Sequence, residues 1–355
     1  MQSLDEKERD IFEVVGEKGL FSVGKQSVKL SERDLSGTGQ IPVFSSQTSN
    51  NGVMGFTNKV ADFFIKDTPA LIFGDHTKSM DISNHSFCAA DNVKVLRPQN
   101  IPFDALFYVS CAWKKRIPDM GYARHWRKAK KVGIELPVTD SGEPDYAYMA
   151  EYAQQKRNAM LAKYRAYVEA RIAELGEVAE IPALDEKEWK PIFISSMFEL
   201  VRGRENNMAM LEDGDTPLIS AKANNNGLKG FVHNPKKIIA GQCITLNNDG
   251  DGGAGLAYYQ PANMALDSHV TALVPLIDMS AFVMLFIAKC ISGLHGFFGH
   301  GLSISNPRAK RLRIMLPVTD SGEPDYKYME QYSKNMMLRK YQQYLTFLQQ
   351  RSDAR

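Results

Sequence analysis

Apolar residues recur at spacings of three and four along two stretches of the chain. In the first these are Met149, Tyr152, Ala153, Met160, Tyr164, Tyr167, Val168, Ile172 and Leu175; in the second, Met329, Tyr332, Met337, Tyr341, Tyr344, Leu345 and Leu348. This helical period predicts two long amphipathic helices, over 144–177 and 324–355. Pro144 and Pro324 stand where a fixed φ suits a first turn, and Asp145 and Asp325 where the positive helix end favours an acid. At ~1.5 Å per residue the apolar parts form rods roughly 45 and 37 Å long. A bare stripe of Tyr, Met and Leu would be an exposed patch, so the economical arrangement lays the two stripes together as an antiparallel coiled pair. Packing of each helix on its own globule is the alternative. Elsewhere, short β-branched or aromatic runs such as Ile41–Ser45, Ala70–Phe73 and Leu218–Ser220 alternate with Gly and Asn turns. One apolar helix is expected in each globule, at about Phe103–Trp113 and Met279–Ile291. The expected fold class is α+β.

The chain repeats itself. Leu136–Tyr146 (LPVTDSGEPDY) recurs unchanged as Leu316–Tyr326, a shift of 180 residues, and Tyr148, Met149, Tyr152 and Tyr164 have counterparts beyond it. A second match joins Ile41–Phe56 to Thr216–Phe231 at a shift of 175 residues. Two diverged copies of one unit follow, with a globule at 1–143, a helix at 144–177, a linker and second globule at 178–323, and a helix at 324–355. A pair of such units joined by antiparallel helices would be related by a pseudo-twofold axis. The tails are nearly identical, whereas Thr57–Cys88 and Val232–Asp267 have drifted apart. A shared chassis with separate faces suits a protein that reads two different targets.

Lys and Arg number 43 against 41 Asp and Glu, a net charge of +2, which excludes nucleic-acid binding driven by bulk charge but not by local patches. The longest apolar run, Met279–Ala288, is far too short to span a membrane, and the polar N-terminus has no signal segment, so a cytoplasmic location is expected. Cys88, Cys111, Cys243 and Cys290 form no CxxC pair and are read as reduced structural thiols. The seven histidines, His76, His85, His125, His233, His269, His295 and His300, form no metal-ligand pair. A metal-dependent nuclease core needs Pro-Asp followed by acid-x-Lys, and neither Pro144-Asp145 nor Pro324-Asp325 is so followed. Asn234-Pro235-Lys236 and Asn306-Pro307-Arg308 lack the second Pro and aromatic of an adenine methyltransferase loop. Gly250–Gly255 is Gly-rich without the setting of a phosphate cradle, and reads as a mobile or nucleic-acid-facing loop. No catalytic residue and no metal site is expected.

Polar and basic clusters follow a different logic. Ser45–Gly52 and Ser220–Gly227 sit at matching places, each before a Gly-Phe. Side chains of Asn, Gln and Ser can donate to and accept from base edges, while Lys meets phosphates. Ser46, Gln47, Thr48, Asn50 and Asn51 in the first run, with Lys222, Asn224, Asn225, Asn226 and Lys229 in and after the second, are therefore candidate DNA contacts. Basic segments add Arg124, His125, Arg127 and Lys128, then Arg308 and Lys310; both precede the repeated tail. A solvated charged face is the plain alternative for each. A coiled-coil scaffold without base-specific readout, or a self-contained DNA-modifying enzyme with a degenerate site, are the other functions weighed.

The PLISAKANNNGLKGF segment after Trp189, the Phe73-Gly74-Asp75-His76-Thr77 stretch, the Tyr122-x-Arg-His-Trp126 segment and the LPVTDSGEPDYxYM tail together resemble specificity (S) subunits of type I and type IIB-like restriction–modification systems. The resemblance covers nearly the whole chain. It implies two target recognition domains, each reading one half of a bipartite double-stranded DNA site, with the antiparallel helices as a ruler. It adds His76 and its neighbour Lys78 to the candidate DNA contacts. The helices would also dock methyltransferase or fused methyltransferase–nuclease subunits, through Tyr164, Tyr167, Ile172, Tyr341, Tyr344, Leu345 and Leu348. S-adenosylmethionine would then sit on the partner, and this chain would bind no cofactor and catalyse nothing itself. The second copy departs from the pattern, with Gly241-Gln242-Cys243-Ile244 for Gly-Asp-His-Thr and Ile304–Arg308 for Arg-His-Trp-Arg.

Overall fold

A computed structural model describes residues 7–24, 29–59, 65–66, 68–121, 123–206, 210–249, 253–299 and 302–353. Two compact units result, Met1–Tyr164 and Arg165–Arg355, the division falling inside the first long helix. Each mixes sheets and helices in an α+β manner.

Unit 1 contains strands β1 (Arg9–Phe12), β2 (Phe21–Val23), β3 (Ile41–Phe44), β4 (Val53–Thr57), β5 (Ala70–Gly74), β6 (Met80–Ser83), β7 (Cys88–Ala89) and β8 (Val93–Pro98). Helix α1 (Phe103–Arg116), the short α2 (Trp126–Ala129), β9 (Ile134–Pro137) and the long α3 (Tyr146–Leu175) follow. A four-stranded sheet runs β2-β8-β5-β6, a three-stranded one β4-β3-β7, and β1 pairs with β9 as an antiparallel ribbon. All five residues of β5 are buried, which is why its sequence, ALIFG, is apolar throughout rather than alternating. α1 buries Ala105, Leu106, Val109 and Trp113, one face at helical spacing. Trp113 stacks on Phe73 at 5.4 Å between ring centres and donates its indole N–H to the Ala129 carbonyl at 3.1 Å. Trp126 packs edge-on to Trp113 and against Phe73. Aromatic rings from β5, α1 and α2 thus fix α2 to the core.

Unit 2 repeats the plan with β10 (Trp189–Phe193), α4 (Ile194–Met197), β11 (Phe198–Arg202), β12 (Asp213–Ile219), β13 (Leu228–Val232), β14 (Ile238–Ile239), β15 (Cys243–Asn247), β16 (Ala257–Gln260), β17 (Met264–Leu266) and β18 (Val270–Pro275). Then come α5 (Ala281–Ser292), α6 (Asn306–Lys310), β19 (Arg313–Pro317) and α7 (Tyr326–Asp353). Its sheets run β11-β18-β15-β16 and β13-β12-β17-β14, with β10 paired to β19. In register, Gly74 on β5 faces Val93 and Asn247 on β15 faces Val270, so Gly74-Asp75 corresponds to Asn247-Asn248. Gly241–Ile244, matched to Gly-Asp-His-Thr by sequence, is at the wrong end of β15. The Asn247-Asn248 counterpart shares no residue with Gly74-Asp75 and so escapes a motif comparison.

The linker ahead of β10 is not a free tether. Asn335 on α7 binds both the N–H and the carbonyl of Ala179, Tyr328 donates its hydroxyl to Pro182, and Trp189 donates to Leu184. In unit 2 the ring of Tyr167 meets Tyr341 edge-on at 6.3 Å. Contacts move back along α7, from Tyr341 to Asn335, as the chain advances from Tyr167 to Ala179, so the end of α3 runs antiparallel to α7. The apolar stripe of α3 is not buried throughout: Met149 and Val168 are, whereas Met160 is 71% exposed, with Tyr164 and Tyr167 about half exposed.

Burial pushes the thiols of Cys243 and Cys290 up to about 11, and that of Cys88 up as well, while Cys111 lies exposed on α1. A maleimide at neutral pH should therefore modify Cys111 first. Cys243 and Cys290 should lag by on the order of a hundredfold, from their smaller thiolate fraction. Peptide mass mapping over time checks this; equal labelling of all four in the folded chain would contradict the packing described.

Candidate nucleic-acid interface

The loops after β3 and β12 are built identically. The N–H of Ser45 donates to the Gly52 carbonyl at 2.8 Å and that of Gly52 to Ser49 at 2.9 Å; Ser220 to Gly227 and Gly227 to Asn224 repeat this at 2.9 and 3.0 Å. Asn50 and Asn51 have φ of 49° and 50°, and Asn225 and Asn226 both 50°. Asn tolerates the left-handed region better than other residues with a side chain, so backbone geometry alone accounts for these asparagines. Glycine follows because φ is 78° at Gly52, where an added Cβ would lie 2.4 Å from the Asp81 carboxylate. The asparagine side chains nevertheless remain exposed, with Thr48 and Asn224.

Two other candidates brace the loop. Gln47 donates its amide to the carbonyls of Val53 at 2.6 Å and Ser49 at 3.2 Å, and Lys222, at the equivalent place, donates to Leu228 at 3.1 Å. Ser46 is half-buried and its carbonyl accepts the Thr77 hydroxyl at 2.6 Å. Thr77 lies beside the half-buried His76 and Lys78, the latter paired with Asp119 at 3.1 Å. The Gly121 N–H and then Lys78 hold the Asp119 carboxyl below the usual range.

Next to this turn, Asp75 is 3% exposed and gathers the basic segment. Its carbonyl accepts the His125 N–H at 2.8 Å and its carboxylate accepts the Trp126 N–H at 2.7 Å. His125 was expected at DNA but is 1% exposed, and both ring nitrogens are engaged: Nε2 accepts the Met120 N–H and Nδ1 therefore donates to the Asp75 carbonyl. This histidine cannot reach a duplex in this structure. It presents its neighbours instead, because Arg124, Arg127 and Lys128 are exposed around it. Loop, turn and basic segment, separate in sequence, thus form one surface in unit 1.

Unit 2 assembles the same three parts through different atoms. Asn247 donates to the Lys222 carbonyl at 3.0 Å, and Gln260 donates to the Asn226 carbonyl at 2.8 Å, so the loop rests on buried amides. Asn248, 1% exposed, donates to the Ile304 carbonyl at 2.8 Å and accepts the Thr271 hydroxyl at 2.9 Å. α6 starts just beyond, with Ser305 accepting the Arg308 N–H as its cap. Arg308 is half-buried and bonded to the Ser303 carbonyl, whereas Lys310 and Lys229 are exposed. Asp75, Asn247, Asn248 and Gln260 were missed as site residues from sequence. Asp75 stood inside a motif singled out above, whereas no local signal marks the other three.

Of the helix residues expected to meet subunits, Tyr164 and Tyr167 are exposed and Ile172, Tyr341, Tyr344, Leu345 and Leu348 half-buried. Tyr122 and His300, and Gly250, Asp251 and Gly252 of the Gly-rich loop, lie outside the described residues. Among the described residues no three His, Cys, Asp or Glu are placed to hold a metal, and no helix is long and apolar enough to cross a membrane.

Residues 186–345 match the family model of the type I restriction modification DNA specificity domain. That match takes in a little under half of the chain and supports a DNA-recognition role for this region. Over 333 residues, 92% of each chain, the protein is 22% identical to the S.BcgI specificity subunit of a type II restriction enzyme from Heyndrickxia coagulans. Among solved structures it is similar to the type I restriction–modification S subunit of M. genitalium, with 13% identity, a TM-score of 0.46, and 100% of this chain and 94% of that one covered. It is also similar to the HsdS subunit of Thermoanaerobacter tengcongensis, with 15% identity, a TM-score of 0.31, and 81% and 76% covered.

Asp75→Asn keeps an acceptor for the Trp126 N–H and should lower stability by under about 1 kcal/mol, whereas Asp75→Ala strands that donor at a cost of about 1–3 kcal/mol. Asn248→Asp sets a carboxylate against the Ile304 carbonyl and should cost more than Asp75→Asn. Urea unfolding checks the order; equal losses for all three would contradict the buried ties.

Proposed function

We propose that the whole chain is the sequence-recognition subunit of a restriction–modification complex, in which each unit reads one half of a bipartite double-stranded site. The observation that carries this reading is the matched surface of polar loop, strand end and basic segment in the two units, built on different buried braces. Shared placement supplies the same mode of docking; different braces and loop residues supply different base preferences. Arg124, Arg127 and Lys128 in unit 1, with Lys229, Arg308 and Lys310 in unit 2, meet phosphates. Thr48, Asn50 and Asn51, with Asn224, Asn225 and Asn226, face base edges.

The two long helices form an antiparallel pair that acts as the ruler, setting half-site centres apart by on the order of one helical turn. Their exposed tyrosines and Met160 dock methyltransferase, or fused methyltransferase–nuclease, subunits. Those partners carry S-adenosylmethionine and any cleavage chemistry, so this chain is itself non-catalytic, and the complex works in the cytoplasm on double-stranded DNA.

Selection from random duplexes with the full chain and its methyltransferase should recover two unlike short sequences at one fixed gap. Recovery of no common sequence, with salt-dependent binding intact, would replace this reading by a protein scaffold. In the same assay Arg127→Ala and Lys128→Ala should each weaken all duplexes alike and lower the salt slope by about 0.9. A change in preferred bases instead would place these residues at base edges.

A further inference from the structure

We propose that Lys7 and Lys187 are positioning residues for half-site spacing, each locking the angle at which a long helix leaves its unit; this rests on the ruler reading above. In unit 1 Lys7 Nζ lies 2.7 Å from Asp145 Oδ2 and 5.2 Å from the centre of the Tyr148 ring, while Asp145 Oδ1 accepts the Tyr148 N–H at 3.0 Å. In unit 2 Lys187 Nζ lies 2.8 Å from Asp325 Oδ2 and 5.1 Å from the Tyr328 ring, and Asp325 Oδ1 accepts the Tyr328 N–H at 3.0 Å. The two clamps agree to within a tenth of an ångström, although the globules around them have diverged.

The lysine is not needed to start the helix, because the aspartate already caps the first turn. What it adds is a tie to a different element. Lys7 and Lys187 lie just before β1 and β10, and the neighbouring Glu8 and Glu188 carbonyls accept the N–H of Val138 and Val318. Each clamp therefore joins the two-stranded ribbon of its own unit to the base of its own long helix. Both ion pairs are largely shielded, with side-chain exposures of 20% and 15% in the first and 17% and 18% in the second. Burial pushes both aspartates up, yet the lysine hydrogen bonds and the tyrosine N–H groups outweigh it and hold both carboxyls below their usual range. Shielded, cation–π-backed pairs of this kind resist bending better than a solvent-exposed pair.

Tilting a rod about 45 Å long by about 5° at its base moves the far end about 4 Å, close to the ~3.4 Å rise of one base pair. Holding each helix to within a few degrees is thus what a one-base-pair gap tolerance requires.

The test uses the full chain with its methyltransferase and duplexes bearing the selected site at its native gap and at gaps one base pair shorter or longer. Wild type should favour the native gap by about tenfold or more. Lys7→Met with Lys187→Met should reduce that preference to under about threefold while half-site base preferences stay unchanged, and Lys7→Arg with Lys187→Arg should restore it. A Met variant that keeps full gap discrimination, or loses affinity equally at every gap, overturns the clamp. Wild type that reads sequence at any gap also overturns the clamp alone, whereas wild type with no sequence preference overturns the specificity reading itself.

Discussion

The placement of each candidate DNA-facing basic segment depends on one buried polar residue per unit, Asp75 in the first and Asn248 in the second. Each ends a central strand, is sealed from water, and binds the backbone of a basic segment some fifty residues on. An unmet polar group at that depth would cost on the order of 1–3 kcal/mol, so the segment is held where its backbone satisfies the strand end. The adjoining loops are tied to the same strand ends, through Thr77 to Ser46 in unit 1 and Asn247 to Lys222 in unit 2. Polar loop and cationic segment are thereby delivered to one face by the core rather than by chance proximity.

Conserved placement with changed chemistry suits a duplicated reader. Unit 1 uses a carboxylate and a doubly hydrogen-bonded His125, whereas unit 2 uses amides and a threonine. Loop backbones are nearly the same, down to the left-handed asparagines, yet Gln47 braces one and Lys222 the other. Residues 186–345 match the type I restriction modification DNA specificity domain, in keeping with such a role.

Much of the architecture was legible before any coordinates. The eleven-residue repeat marked both helix starts, and the three-and-four spacing found helices that run Tyr146–Leu175 and Tyr326–Asp353. Local periodicity reports which residues share a face, but not how much of that face is covered, and so the exposed middle of α3 at Met160 was missed. The site was less legible because its ties join residues distant in the chain. Nothing near His125 signals that Asp75, fifty residues earlier, will bury it, and no motif search would pair Asn248 with Asp75. The Asn-Asn-Gly triplets were found for their polarity, although left-handed backbone geometry is reason enough for them.

Hydrogen exchange of the full chain with the proposed methyltransferase partner, with and without the selected duplex, tests the central claim most directly. DNA should protect residues 45–52, 76–79 and 124–131 together in unit 1, and 220–229 with 303–313 in unit 2. Protection of the loops without the basic segments, or confined to the long helices, would contradict it.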